Sequence, residues 1–192
     1  MNFLAHLFLS CTDEPLLVGN FLTDFLNKQE TDELPVLYHR GVALHRLIDT
    51  YTDQHPSVVE GVKILQPYHR KYASVVIDVF YDYFLIQNWT QFTVEPFPVF
   101  RERIYQILTK HLTAMPPKVQ PRVIGMVEGD WLASYGEVSG LLYAIDRLSR
   151  RASRPEWLLN AADSLDKEKA HINTSFLSFF PDLVDQARQF CS

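Results

Sequence analysis

The chain has 192 residues, enough for one domain with a substantial core. Hydrophobic residues make up 47% and aromatic residues 13%, which fits a globular protein, and the net charge of −5 argues against a general nucleic-acid binder. No apolar segment is long and charge-free enough to span a membrane.

Only seven glycines occur, alternating strand patterns are few, and 3.6-residue periodicity dominates. The sequence therefore reads as all-α, a single helical domain over 1–192 with no repeat or linker to divide it. Helices are predicted at roughly 2–9, 14–28, 34–53, 56–66, 68–90, 97–113, 118–133, 136–149, 154–172 and 173–190. Pro15 and Pro56 suit first helical turns, whereas Pro96, Pro98, Met115-Pro116-Pro117 and Pro155 mark breaks.

The opening segment, MNFLAHLFLSC, superficially resembles a signal peptide with a lipoprotein cysteine. It lacks a basic leader, and His6 interrupts a short apolar run, so secretion is rejected and a cytoplasmic location is expected. Cys11 and Cys191 lie at opposite ends without zinc-ligand spacing and read as reduced thiols. His6 is the one imidazole in a greasy helix. The next segment, LLVGNFLTDFL, places Asn20 and Asp24 four residues apart in an apolar background. Asp24 has a plainer role open to it, as a helix cap or a partner for Lys28.

Segment GVALHRLIDTYTDQHP carries His45, Asp49 and Asp53 at four-residue steps. On a helix these lie within about 80° of one another, beside the apolar face of Leu44, Leu47, Ile48 and Tyr51. His55 follows, just before Pro56, where the helix ends or turns. A solvated edge paired with Arg46 is the plainer alternative for Asp49 and Asp53. In VVIDVFYDYFLIQNW the only carboxylates are Asp78 and Asp82, on one face of a helix that reads as buried. Buried carboxylates cost several kcal/mol unless compensated, so a metal ion, an Arg or a protonated His is expected beside them.

Four helices thus offer inward-capable ligands that one cation would satisfy together. The set is oxygen-rich with some imidazole and no thiolate, which favours Mg²⁺ or Mn²⁺ and allows Fe²⁺ or Zn²⁺. A di-iron bundle would need Glu-x-x-His pairs, and the chain has none; it also lacks the P-loop, H-E-x-x-H and G-x-S-x-G patterns. Hydrolysis of a phosphate ester matches best, because a bound divalent ion acidifies water and neutralises phosphoryl charge. Later in the chain, DRLSRRASRP clusters Arg147, Arg150, Arg151 and Arg154, which suit a phosphate or an acidic protein, or a solvated helix end. Lys110, Lys118 and Arg122 form a weaker basic group. His39, His69, His111 and His171 show no partner pattern and read as surface or structural residues.

The ordered motifs NFLAH, GNFLTDF, LHRLIDTYTDQHP and DVFYDYFL, followed by weaker echoes in WLASYG, LSRRASRP and FLSFFP, resemble the acyl carrier protein phosphodiesterase family, also called holo-acyl carrier protein hydrolases. The resemblance implies a helical fold related to HD-domain phosphohydrolases, a divalent metal (usually Mn²⁺), and removal of 4′-phosphopantetheine from a serine of acyl carrier protein. The adjacent His-Asp pair that names HD enzymes is absent, since His45 is followed by Arg46. His6, Asp24, His45, Asp49, Asp53, Asp78 and Asp82 are carried over because they stand in the matching motifs. His45, Asp78 and Asp82 are the first expected metal ligands, with Asp24, Asp49 and Asp53 completing the shell or orienting water. His6 or His55 would protonate the leaving oxygen, Arg46 would stabilise a phosphoryl oxygen, and the four later arginines would dock the acidic carrier protein. Two other readings stay open: an HD-type nucleotidase or small-molecule phosphatase, and a non-catalytic helical binding module in which the carboxylates pair with Arg40, Arg46 or Arg70.

Overall fold

Every regular element of the structure, a computed structural model describing residues 1–192, is helical. α1 (Phe3–Phe8) is a short buried helix, and α2 (Glu14–Thr23) follows with Pro15 in its first turn. Asp13 caps α2 by accepting a hydrogen bond from the Leu16 amide at 3.1 Å. The predicted 14–28 helix ends early because Asn27 starts a new one. Its side chain accepts from the Glu30 amide while the Glu30 carboxylate accepts from the Asn27 amide, a capping box that opens α3 (Lys28–Asp32).

α4 (Val36–Gln54) and α5 (Pro56–His69) are joined at His55, which ends one helix and caps the next. α6 (Ala73–Gln87) is the apolar helix read from the sequence, and α7 (Trp89–Phe92) is a single turn. α8 (Phe97–Lys110) is followed by α9 (Gln120–Glu128), α10 (Trp131–Ser134) and α11 (Val138–Ser149). The predicted 118–133 helix is interrupted where Asp130 adopts a left-handed φ of 46°, which turns the chain between α9 and α10. The predicted pair 154–172 and 173–190 is in fact one helix from Ala161 on, α12 (Ala161–Cys191). Ile172, Phe176, Phe179, Phe180 and Leu183 form one unbroken buried stripe along it, so nothing favours a break there.

The buried apolar residues form one connected core running from Met1 to Ala187, with no seam between the two halves of the chain. α6 lies at its centre, touching α1, α5, α11 and α12. Phe176 packs against both Tyr81 and Phe84 there, and the Tyr81 hydroxyl lies 2.6 Å from Ser175 Oγ. His69, read as surface or structural, is a buried staple. Its Nδ1 donates to the Trp157 carbonyl at 2.8 Å and its Nε2 accepts from Ser164 Oγ at 2.7 Å.

The closest approach is between α2 and α4. A methyl group on Gly41 would overlap the Leu16 carbonyl oxygen and the Asn20 amide nitrogen, and one on Gly19 would overlap the Tyr38 carbonyl. These two glycines let the helix backbones touch, which sets Asn20 directly against His45.

The two cysteines correct one sequence expectation. Cys11 and Cys191 are joined as a disulfide, with Cα atoms 6.3 Å apart, and neither is a free thiol. Their separation in sequence concealed that α12 returns the C-terminus to the loop after α1. No helix is long and apolar enough to cross a membrane.

Candidate metal centre

Three of the expected residues converge. One ligand atom from each of His6, His45 and Asp49 lies within 4.8 Å of the others. The imidazoles, from α1 and α4, stack face to face with centroids 4.0 Å apart and planes 13° apart. Both are buried, while the Asp49 side chain is 45% exposed and forms the rim.

Asn20 fixes both rings. Its Nδ2 donates to the His6 carbonyl at 2.9 Å and to Ser10 Oγ at 2.7 Å, which settles its orientation and turns Oδ1 toward the imidazoles. Oδ1 lies 3.0 Å from His6 Nδ1 and 3.0 Å from His45 Nδ1, and the Asn20 backbone oxygen is also 3.0 Å from His45 Nδ1. Amide and carbonyl oxygens only accept, so each Nδ1 carries a proton, and in the neutral ring it is Nε2 that presents a lone pair.

Those lone pairs face oxygen. His6 Nε2 is 3.2 Å from one Asp49 oxygen, and His45 Nε2 is 3.2 Å from the other. His6 Nε2 is also the one buried side-chain nitrogen or oxygen in the protein without a hydrogen-bond partner. Burial pushes the His6 pKa down to about 4, so the ring is neutral near pH 7. Burial alone would raise the Asp49 carboxyl; it is held well below the ordinary range only where His45 and His6 carry a proton on the Nε2 that faces it. An ionised carboxylate facing two ring lone pairs is stable only with a cation or protons between them. Leaving such a buried acceptor unsatisfied costs about 1–3 kcal/mol. Two imidazole nitrogens and a carboxylate suit a divalent first-row metal, so the donor set fits the metal that the motifs implied.

The other expected ligands stand around this group. The Asp24 carboxyl lies 4.0 Å from His45 Nε2. Burial raises its pKa to about 6, against the pull of His45. It does not pair with Lys28. Asp78 meets the α-ammonium of Met1 at 3.1 Å, and Asp49 lies 3.8 Å from the same group. The cation expected beside Asp78 is therefore this ammonium.

Asp82, four residues on, is turned away. Its oxygens accept from the Leu4 amide at 2.9 Å and the Ala5 amide at 3.0 Å, capping α1 from across the fold. Asn2, the residue before α1, supplies no side-chain cap, so Asp82 does that work. Burial pushes its carboxyl up to about 7, although the two amides pull it back. Asp53 is exposed and outside the cluster.

His55 is not brought to the cluster. Its Nδ1 accepts from the Ser57 amide, its Nε2 faces Asp182 at 3.3 Å, and its ring packs on Phe179. Arg46 reaches Thr31 Oγ1 at 3.4 Å, Arg40 donates to the Phe190 carbonyl, and Arg70 lies over the Trp157 ring. None of the three is paired with the site carboxylates, which removes the ion pairs on which the non-catalytic reading depended. Of the late arginines, Arg150 pairs with Asp146 at 2.7 Å and Arg154 with Glu156 at 3.6 Å. Arg147 and Arg151 instead line a cavity that includes Asp24. The sequence reading set Lys118 and Arg122 aside, yet both line it too. Their only early signal was a weak cluster of positive charge in a net negative chain.

Residues 1–183 match the family described as Acyl carrier protein phosphodiesterase. The chain belongs to that family. Among curated acyl carrier protein phosphodiesterases, it is 30% identical to that of Enterobacter sp. (strain 638) over 189 residues, covering 98% of each chain. It is 31% identical over 191 residues to that of Escherichia coli O157:H7 (strain EC4115 / EHEC), covering 97% of each. It is 26% identical over 188 residues to that of Photorhabdus laumondii, covering 97% of this chain and 95% of the relative. No solved structure matches it.

Proposed function

We propose that the protein is a metal-dependent phosphodiesterase that removes 4′-phosphopantetheine from holo-acyl carrier protein and releases the apo-protein. The observation that carries the metal requirement is the pair of imidazole Nε2 atoms facing Asp49, with His6 Nε2 left unpartnered in the core. The substrate rests on family membership and on the names of relatives matched nearly end to end.

In this reading His6, His45 and Asp49 hold the ion, with Mn²⁺ the first choice and Mg²⁺ or Fe²⁺ as alternatives. A divalent ion there supplies an activated water and Lewis acidity at the phosphoryl group. The chain's own residues do the rest. Asn20 holds both rings in the tautomer that points Nε2 at the ion. Asp82 anchors α1 and so fixes the position of His6. Asp24 stands between the cluster and the neighbouring cavity, where its carboxyl can pass a proton to the departing serine oxygen. Asp78 and Asp53 add negative charge behind Asp49 and favour the bound cation. The kinship to HD-type phosphohydrolases belongs to the same proposal, with His6 and His45 from separate helices replacing an adjacent His-Asp pair. We place the reaction in the cytoplasm, where carrier protein is used in lipid synthesis.

The test is to incubate the purified protein with holo-acyl carrier protein and follow the carrier's mass. Conversion to the apo form, lost in chelator and restored by Mn²⁺, is expected. Unchanged holo-protein together with hydrolysis of nucleoside phosphates would instead establish the nucleotidase reading. Full conversion in excess chelator would contradict the metal.

A further inference from the structure

Next to the candidate metal centre lies a cavity of about 570 Å³; Asp24 lines it and stands 4.0 Å from His45 Nε2. Four cations line it, Lys118, Arg122, Arg147 and Arg151, against one carboxylate. This concentration of positive charge is unusual in a chain of net charge −5. Lys118 is spoken for by Glu30. The three arginines are not: no carboxylate lies within 4.0 Å of any of them. By contrast Arg101, Arg103, Arg150, Arg154 and Arg188 each meet one.

The cavity is also shaped for more than charge. The Arg147 guanidinium lies 4.2 Å from the centre of the Trp131 ring, which fixes its plane. Phe3, Phe25 and Tyr135 contribute apolar wall beside the charged groups. Guanidiniums without carboxylate partners, beside an apolar wall, suit an oxyanion carried on a chain of methylene and amide groups.

We propose that this cavity binds the phosphate-terminated arm that the reaction releases, with Arg122, Arg147 and Arg151 gripping the phosphate and the arm lying along Phe3, Phe25 and Trp131. The assignment rests on the phosphopantetheinyl reading given above and goes further by naming the residues that recognise that group. In the reaction, water oxygen bonds to phosphorus and the bond from phosphorus to the serine oxygen breaks. One water proton passes to the serine oxygen and the other is lost to solvent. The substrate phosphodiester carries one negative charge, whereas the product monoester, with a second pKa of about 6, carries close to two at neutral pH. Unpartnered arginines beside the reacting centre therefore favour the more highly charged product side of the cleavage.

The test is titration calorimetry on the full chain with 4′-phosphopantetheine, pantetheine lacking the phosphate, and inorganic phosphate. Phosphopantetheine should bind well ahead of pantetheine. Arg147→Lys and Arg151→Ala, checked for an unchanged melting temperature, should each weaken it by roughly tenfold, the scale of one lost charge-assisted hydrogen bond. Arg188→Ala, whose arginine pairs with Asp185 elsewhere, should not change it. Equal binding of pantetheine and phosphopantetheine would overturn the assignment. So would variants that raise KM for holo-carrier protein while leaving phosphopantetheine affinity untouched, since these arginines would then dock the carrier's acidic surface. If the protein releases phosphopantetheine from holo-carrier but does not bind it, the cavity assignment fails alone. If it binds phosphopantetheine in an arginine-dependent way yet leaves holo-carrier intact, the cavity stands and the proposed reaction falls.

Discussion

The candidate metal centre and the arginine-lined cavity both border on Asp24, but they are held in opposite ways. In the centre, His6, His45, Asn20 and Ser10 are buried and tied to one another, so each side chain fixes its neighbours. In the cavity, Arg122, Arg147 and Arg151 have no carboxylate partner and each contributes a nearly independent charge. Losses in the first region should be strongly non-additive, and losses in the second should add.

The largest expected effect comes from removing a ring. His6→Ala and His45→Ala should each lower kcat by roughly a thousandfold, because several kcal/mol of transition-state stabilisation leave with the ion and each 1.4 kcal/mol is tenfold. The double variant should be little worse than either single one, and steady-state kinetics on holo-carrier protein measures both. Asn20→Ala touches no ion yet frees both rings. It should cost about 10–100-fold in metal affinity, read by Mn²⁺ titration, with the fold intact by circular dichroism. If Asn20→Ala binds Mn²⁺ normally, the hydrogen-bonded centre is less interdependent than its geometry implies.

Asp78 and Asp82 show what sequence can and cannot reveal. Periodicity placed both on one face of an apolar helix, and α6 is that helix. Their partners come from more than seventy residues away: the Met1 ammonium for Asp78, the Leu4 and Ala5 amides for Asp82. Spacing within a helix carries no information about such contacts. The row of His45, Asp49 and Asp53 was legible as a row, but only the packing of α4 against α2 and α1 selects His45 and Asp49 and leaves Asp53 in solvent. His6 was visible as a lone imidazole, and its neighbour in space, His45, was not. The Gly19–Gly41 contact that sets Asn20 against His45 needs two helices side by side before it has meaning. Helix content, by contrast, was read well, since it depends on local pattern, and the misplaced ends lie where a capping box, a left-handed residue or one continuous buried stripe decided the matter.

Asp82→Ala follows from that contrast. It should destabilise the protein by roughly 1–3 kcal/mol in urea unfolding, since it strands the Leu4 and Ala5 amides in the core. Activity should fall through the displaced α1. Unchanged stability with lost Mn²⁺ binding would instead make Asp82 a ligand. The smallest effects belong to the cavity and its margin. Arg122→Ala and Arg151→Ala should each raise KM by no more than roughly tenfold, and their effects should multiply in the double variant. Arg150→Ala, whose side chain is already paired with Asp146 at the surface, should change KM by less than about twofold.

The central claim is that His6, His45 and Asp49 hold the ion. Its most direct measurement is Mn²⁺ titration followed by electron paramagnetic resonance, on the wild type and on His6→Ala, His45→Ala and Asp82→Ala. One tight site in the wild type is predicted, lost in both histidine variants and retained, with altered affinity at most, in Asp82→Ala. Retention of that site in both histidine variants with its loss in Asp82→Ala would contradict the account.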